Sequence, residues 1–217
     1  MKRWLGFLAI AALLTLSLGI DECDETDMWF ADQLRSEFSS ADTISQSPDP
    51  EVRAAGETVD AVDREREARK VEVRGSKDFQ TWTRSALDLL RSQAPSAYKD
   101  VLASIKIVES VEAGSGIYVD EGRFQVGRGT AYAPNYEPAE QLVWYAGTLV
   151  HDACHADLHK QGKVYDGKEG EVACLKRQKA ALIQLKGGED FAAHVQGLID
   201  GADDPANQYW LQPHRHW

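Results

Sequence analysis

Two histidines stand four residues apart near the middle of the segment Val150–His159, which reads Val-His-Asp-Ala-Cys-His-Ala-Asp-Leu-His. On an α-helix, residues with this spacing lie one above the other on the same face. His151 and His155 could therefore direct their imidazole nitrogens to one metal ion at about 2.0–2.1 Å. Asp152 follows the first histidine, and an acid at this point projects beside such an ion, where it can act as a base toward bound water.

A third ligand is available on the next predicted helix. Glu171 stands 16 residues after His155, and the short loop between the two helices makes them antiparallel neighbours, so an acid in the first turn of the second helix can reach back to the metal. Glu169 competes for this role. We prefer Glu171 because Gln178 and Leu182 continue the same side of its helix.

His159 continues the histidine series by another four residues. Ligands at i, i+4 and i+8 of one straight helix span about 12 Å, which is too far for a single ion, and a histidine near a helix C-terminus is favoured by the helix dipole.

The segment Leu142–Val150 is almost wholly apolar and predicts a buried helix. Because buried polar groups need partners, His151 and Asp152 at the end of this segment strengthen the metal hypothesis.

A helix with His-x-x-x-His, a loop, and a second helix with Glu resembles the gluzincin branch of the zinc metallopeptidases, with His-Asp-x-x-His as a variant of His-Glu-x-x-His. The resemblance implies Zn²⁺ held by His151, His155 and Glu171, with Asp152 as the general base. It implies a hydrolase that uses metal-activated water on a peptide or protein substrate, and it is closest to small exported bacterial proteins of this type. Arg123–Gly127 resembles the strand that holds the substrate.

Asp152 departs from the family pattern because its carboxylate is one methylene shorter than that of Glu. A misplacement on the order of 1 Å can cost about 100-fold in rate. The alternative function is therefore a non-catalytic exported module that binds a metal or a protein through a degenerate site. In the catalytic case a donor must stabilise the oxyanion, and the candidates are Tyr165, in the loop between the two helices, and His194.

The segment Tyr145–Asp152 also resembles the central helix of the HD-domain phosphohydrolases. That family requires another metal-binding histidine on an earlier helix. All six histidines of this chain lie at residue 151 or later, so this second resemblance lacks a necessary ligand.

Two of the three cysteines flank the candidate ligands. Cys154 lies three residues after His151, and Cys174 lies three residues after Glu171. A disulfide between them would close a loop of about 20 residues and contribute roughly 3 kcal/mol to stability. The alternatives are two buried thiols, or Cys154 as a metal ligand. Cys23 then has no partner within the chain.

Composition limits the function classes further. The chain of 217 residues has 24 Lys+Arg and 35 Asp+Glu, which gives a formal net charge of −11. Nucleic-acid binding requires clustered Lys and Arg, so we expect no nucleic-acid partner. A hydrophobic content of 43% is enough to fill a core.

The first 19 residues have the layout of a secretory signal peptide. A positive start, Met1–Arg3, precedes the apolar run Trp4–Leu18. Small residues stand at the −3 and −1 positions of a cut before Ile20. The alternative is an uncleaved anchor, which would be the only link of the chain to a membrane. Both cases predict a secreted or periplasmic protein, a location where disulfides persist.

The order of the predicted helices and strands, which must position these residues, indicates an α+β fold. Residues 20–77 are polar and predict a partly helical arm or linker, with helices at Met28–Ser39 and Glu51–Lys70. Residues 78–217 predict the metal-binding domain, with a small antiparallel sheet packed on the motif helix and on the antiparallel helix that follows. The predicted elements of the domain are helices at Phe79–Gln93, Pro95–Leu102, Glu137–Gln161, Glu171–Leu185 and Asp190–Ile199, a strand at Ile105–Val111, and a hairpin of Ile117–Val119 with Arg123–Gly127.

Overall fold

The structure is a computed structural model that describes residues 70–127 and 137–204, together with Pro50 and Arg53. The predicted signal peptide and the helix at Met28–Ser39 lie outside the described residues, as does nearly all of the helix predicted at Glu51–Lys70. Lys70–Trp217 forms one compact unit. The compact unit therefore begins before residue 78, where we had placed the domain boundary.

The predicted α+β class is confirmed. The described residues form five helices and four strands, and every helix predicted in this part of the chain is present within a few residues of its expected bounds. The largest difference is at the fourth helix, which begins at Gly167 instead of Glu171. In chain order the elements are β1 (Glu72–Arg74), α1 (Lys77–Gln93), α2 (Pro95–Ser104), β2 (Ile107–Val111), β3 (Gly116–Tyr118), β4 (Arg123–Gly127), α3 (Pro138–Lys160), α4 (Gly167–Leu182) and α5 (Glu189–Asp200).

The sheet is mixed, so the prediction of an antiparallel sheet was wrong. The strand order is β1-β2-β4-β3. β2 is parallel to both β1 and β4, and only the hairpin of β3 and β4 is antiparallel. The prediction omitted β1, which is only three residues long and has a single buried side chain, Val73. It also failed for β2 and β4, because β3 lies between them in the chain, and its antiparallel hairpin with β4 brings β4 back parallel to β2.

The position of β4 corrects a second expectation. β4 pairs with β2 on one side and with β3 on the other, so both of its edges are occupied. It therefore cannot accept a substrate strand, although Arg123–Gly127 resembled the strand that does so. Among the described strands, β1 and β3 lie at the two edges of the sheet, and β3 is in contact with α3.

The hydrophobic core lies between one face of the sheet and the helices. α3 occupies its centre and packs against α1, α2, α4 and β3, which explains why its sequence is apolar on nearly every side. Inside the core, the hydroxyl groups of Thr83 and Tyr145 are 3.0 Å apart and join α1 to α3 by a buried hydrogen bond. The sheet contributes Val73, Val108, Ile117, Phe124 and Val126 to this core.

Local sequence sets both ends of α3. At the start, Glu137 and Glu140 form a reciprocal capping box, and Pro138 occupies the first turn, where its missing N–H costs nothing. At the end, Gly162 has a φ of +66°, and the Lys163 N–H donates to the Leu158 carbonyl over 2.9 Å. This C-terminal turn reverses the chain and returns α4 along α3.

α3 and α4 approach each other closely at Gly147. A Cβ atom at this position would lie 2.9 Å from Leu182 Cδ2 and 3.1 Å from its Cγ, both closer than ordinary van der Waals contact. Leu182 is fully buried, so it has little room to move. The absence of a side chain at Gly147 therefore sets the separation of the two helices.

In the part of the chain that the structure describes, no helix is both long enough and apolar enough to cross a membrane.

We expect Gly147→Val to reduce the free energy of unfolding by about 1–3 kcal/mol, since it inserts a branched side chain into a filled contact. Gly197→Val is the matched control, because Gly197 lies in helix α5 with open space around its Cβ position. Urea denaturation measures both variants. Equal stability of the two would contradict the close approach at Gly147.

Candidate metal centre

Three side chains from α3 and α4 meet between the two helices. The Nε2 atoms of His151 and His155 are 3.0 Å apart. The Glu171 carboxylate faces both rings, with Oε1 3.6 Å from His151 Nε2 and Oε2 3.4 Å from His155 Nε2. Each residue offers one donor atom, and all three atoms lie within 4.8 Å of one another. This group could hold a metal ion, and it consists of the three residues predicted as ligands.

The group is buried but is not sealed. His155 and Glu171 are 0% and 2% exposed, whereas His151 keeps 9% of its surface accessible. A small ion or ligand can therefore reach the group from the side of His151. Two nitrogen donors and one carboxylate oxygen are a donor set that divalent transition metals accept, with imidazole suiting zinc, copper, iron and nickel. The residues present fit a divalent metal ion.

The carboxylate of Glu171 is ionised at neutral pH. Burial acts to raise the pKa of Glu171, but hydrogen bonds and charge interactions with His151 and His155 outweigh it and lower the pKa to about 2. The pKa therefore lies well below neutral pH, so the carboxylate keeps its negative charge although it is buried. The charged carboxylate is the form that binds a cation.

The other ring nitrogen of His155 is also engaged. His155 Nδ1 lies 2.5 Å from the backbone carbonyl oxygen of Tyr165. A carbonyl can only accept, so Nδ1 carries a hydrogen, and Nε2 is the ring nitrogen that faces His151 and Glu171. Histidine ligands of metals are typically oriented in this way by a second hydrogen bond.

Gly170 makes this hydrogen bond possible. A Cβ atom on Gly170 would lie 2.3 Å from the carbonyl carbon of Tyr165 and 2.4 Å from its oxygen. Only a residue without a side chain allows the loop carbonyl to lie against the first turn of α4. Sequence reasoning missed this backbone contact, and its one visible signal was the glycine directly before Glu171.

The ring of Tyr165 is occupied elsewhere. It packs edge-on against His159, with ring centroids 4.8 Å apart, and it covers a small apolar cluster of Cys154, Leu158 and Cys174. Tyr165 therefore contributes to the site through its backbone, and a catalytic role for its hydroxyl group stays a prediction. The second donor candidate, His194, is exposed on α5 and packs edge-on against Trp144.

A disulfide joins the two helices beside the ligands. Cys154 and Cys174 are bonded, with Cα atoms 5.3 Å apart, which confirms the predicted pair. Cys154 is the residue before His155, and Cys174 lies one helical turn after Glu171. The bond therefore restrains the two segments that carry the ligands, and it makes Cys154 a cystine sulfur and not a thiolate ligand.

The structure also distinguishes the three clustered donors from the other residues considered as ligands. Glu169 is exposed in the first turn of α4, whereas Glu171 faces the histidines. His159 lies outside the group and pairs with Asp120, its Nε2 3.4 Å from Oδ1. Asp152 is buried, at 6% exposure, and it is not one of the three clustered donors. Asp152 is therefore not needed as a metal ligand, and its role as the general base stays a prediction.

Comparison of the chain with protein-family models, curated proteins and solved structures finds no match. The gluzincin resemblance therefore depends on the motif residues alone and stays a prediction.

If the group binds a divalent metal ion, we expect Gly170→Ala to weaken that binding, with zinc as the probe, by about 10- to 100-fold, the usual cost of disturbing a partner of a metal ligand. The new methyl group pushes the Tyr165 carbonyl away from His155 Nδ1. Competition with a chromogenic chelator measures the affinity, and Gly197→Ala in α5 is the control. Unchanged zinc affinity in a folded, disulfide-bonded Gly170→Ala variant would show that the Tyr165 carbonyl does not orient the ligand.

Proposed function

We propose that the chain is a zinc-dependent hydrolase of the metallopeptidase type, with His151, His155 and Glu171 as the zinc ligands. The observation that carries this proposal is the buried meeting of two Nε2 atoms and one ionised carboxylate, with all three donors within 4.8 Å. The hydrogen bond from His155 Nδ1 to the loop carbonyl adds the orientation that a metal ligand needs. Zinc is the proposed ion because the set of two histidines and one glutamate is known from catalytic zinc sites.

The number of ligands favours a catalytic role over a structural one. Structural zinc sites are closed by four protein ligands, whereas catalytic sites use three and leave a position for water or substrate. The group contains three donors from the described residues. The partial exposure of His151 provides the side from which water and substrate can reach the ion.

Each residue around the ion would have a separate role in hydrolysis. Bound zinc lowers the pKa of a coordinated water toward 7 and polarises a carbonyl group. Glu171, held anionic by the two histidines, fixes the donor set, and the Tyr165 carbonyl keeps the His155 ring in place. Asp152 would accept the proton of the attacking water at its carboxylate and return it to the leaving amine.

The proposed substrate is an extended peptide that pairs with the edge of the sheet. Because β4 is enclosed on both sides, the strands available for this pairing are the edge strands β1 and β3, and we choose β3 because it contacts the motif helix α3. Strand addition uses main-chain hydrogen bonds and therefore tolerates many sequences. We also propose that the protein works outside the cytoplasm, where the Cys154–Cys174 disulfide persists.

A non-catalytic metal-binding module is the second candidate function. It is favoured by Asp152, whose side chain is shorter than that of the glutamate in the zincin motif and is buried to 6% exposure. If this carboxylate cannot reach the water, the protein would bind zinc without turnover.

The first test is elemental analysis of the purified full chain. We expect one zinc per chain in the wild type and loss of the metal in His151→Ala and Glu171→Ala. Glu169→Ala is the matched control, because it removes an exposed glutamate from the same helical turn, and it should retain zinc. Zinc bound equally by Glu171→Ala would exclude this ligand set.

The second test separates the enzyme from the module. In assays on an unstructured protein substrate, Asp152→Asn should abolish cleavage while zinc stays bound. Asp152→Glu should raise the rate by about tenfold or more, since it restores the longer carboxylate. No cleavage by zinc-loaded wild type and no gain in Asp152→Glu would leave the binding module as the function.

A further inference from the structure

The disulfide beside the metal centre is buried, although it lies next to an exposed loop. Cys154 and Cys174 are 1% and 0% exposed. In the described part of the chain, the partly buried residues that pack against their cluster are Tyr165 and Ala173. Thiol–disulfide exchange requires a reductant to reach one sulfur atom. Because Ala173 lies within α4 and Tyr165 lies in the loop before it, opening of this loop is the less costly route to the sulfurs.

The loop is a short segment between two glycines, and we call its residues 163–166 the strap. Gly162 and Gly167 have φ values of +66° and +60°, and a Cβ at either position would meet open space. The strap contains no helical or strand residue, and three of its four residues are exposed. Local opening begins in segments that have few buried apolar contacts. The strap is therefore able to open while α3 and α4 stay folded.

Tyr165 holds the strap closed through its backbone and through its ring. Its carbonyl oxygen accepts a hydrogen bond from His155 Nδ1 at 2.5 Å, and its ring packs against His159 with centroids 4.8 Å apart. The hydrogen bond connects the strap to the metal centre, because Nε2 of the same His155 ring faces Glu171. The residue that covers the disulfide thus also positions a candidate metal ligand.

We propose that the strap couples the metal centre to the redox state of the disulfide, so that a bound metal protects the disulfide from reduction. The coupling rests on the metal centre of the proposed function and not on peptidase activity. When Nε2 of His155 is ligated, the ring is held in place, and Nδ1 keeps the Tyr165 carbonyl and the strap closed. Without the metal, the strap separates from His155 more often and exposes the sulfur atoms.

Reduction of the exposed disulfide is an exchange with a dithiol reductant. One thiolate of the reductant attacks one cysteine sulfur, the S–S bond breaks, and its electron pair leaves on the other cysteine sulfur, which takes up a proton. The second thiolate of the reductant then displaces the first cysteine, which is also protonated. The products are two cysteine thiols and the cyclic disulfide of the reductant. Reduction removes the covalent link between α3 and α4 next to the ligands.

The first test measures the rate of reduction in the metal-free full chain. The probe is tris(2-carboxyethyl)phosphine, which also attacks one sulfur and becomes the phosphine oxide with oxygen from water. Mass spectrometry after maleimide labelling counts the thiols released. His155→Gln lacks a donor at the place of Nδ1, so we expect reduction about 3- to 10-fold faster, the value of one hydrogen bond.

His155→Asn is the matched control, because its side-chain amide nitrogen lies near the place of Nδ1 and can still donate to the Tyr165 carbonyl. We expect its disulfide to be reduced at nearly the wild-type rate. Circular dichroism checks that both variants are folded. Equal rates for the Gln and Asn variants would contradict the role of this hydrogen bond in closing the strap.

The second test compares reduction of the wild type with and without saturating zinc. Partners of metal ligands change metal affinity by about 10- to 100-fold, so we expect zinc to slow reduction by a similar factor. Zinc should not change the rate in Glu171→Gln, which lacks one ligand and keeps the strap, and this control excludes an effect of zinc on the reductant. If zinc binds to the wild type and does not slow reduction, the coupling alone fails. If elemental analysis finds no bound zinc, the proposed function fails as well.

Tyr165→Ala distinguishes opening of the strap from unfolding of the whole domain. This variant removes the ring that covers the disulfide but keeps the carbonyl that accepts from His155. We expect faster reduction and loss of most of the zinc effect, because the sulfurs are then exposed with the strap closed. Val164→Ala is the control, since Val164 is 52% exposed in the same strap, and it should keep the full zinc effect. A full zinc effect in Tyr165→Ala would show that zinc acts through the whole fold and would overturn the proposal.

Discussion

A carboxylate that is removed from water must regain from its neighbours the stabilisation that water gave it. Glu171 is 2% exposed, and its immediate neighbours at the site are two imidazoles. Their hydrogen bonds keep its pKa near 2 in spite of burial. A buried carboxylate that faces two imidazole Nε2 atoms forms a donor set that a divalent cation can bind. The proposal of a metal centre, and of everything that the metal would do, depends on this arrangement.

The rest of the fold holds the two helices in the position that this arrangement requires. Gly147 allows α3 and α4 to lie close together, and the left-handed turn at Gly162 returns the chain from one helix to the other. The disulfide between Cys154 and Cys174 then joins the helices next to the ligands. In the unfolded chain this covalent link lowers the entropy, so it favours the folded site by roughly 3 kcal/mol. These contacts involve no metal ion, and they hold together the two helix segments that carry the donor group.

Much of the site could be predicted from the sequence because its signals are local. The spacing of His151 and His155 matches the helical repeat, and a short loop places Glu171 on a neighbouring antiparallel helix. The disulfide was one of three alternatives that the cysteine spacing allowed, and the structure shows that it is the correct one. The hairpin of β3 and β4 was also predictable, since alternating segments enclose the turn residues Asp120-Glu121-Gly122.

The features that the sequence did not reveal depend on contacts between distant segments or on backbone atoms. β1 is three residues long, and its parallel pairing with β2 follows from the tertiary fold and not from any local pattern. β4 was expected to hold the substrate, but a hairpin motif does not indicate which of its two strands will pair with a further strand. The Tyr165 carbonyl that orients His155 has no side-chain signature, because every residue has a carbonyl group.

X-ray absorption spectroscopy of the zinc-loaded full chain tests the central claim most directly, because it reports the atoms bound to the ion. The account predicts nitrogen and oxygen neighbours at about 2.0–2.1 Å, multiple scattering from two imidazole rings, and no sulfur. A sulfur neighbour at about 2.3 Å, or scattering from fewer than two imidazoles, would contradict a centre built from His151, His155 and Glu171.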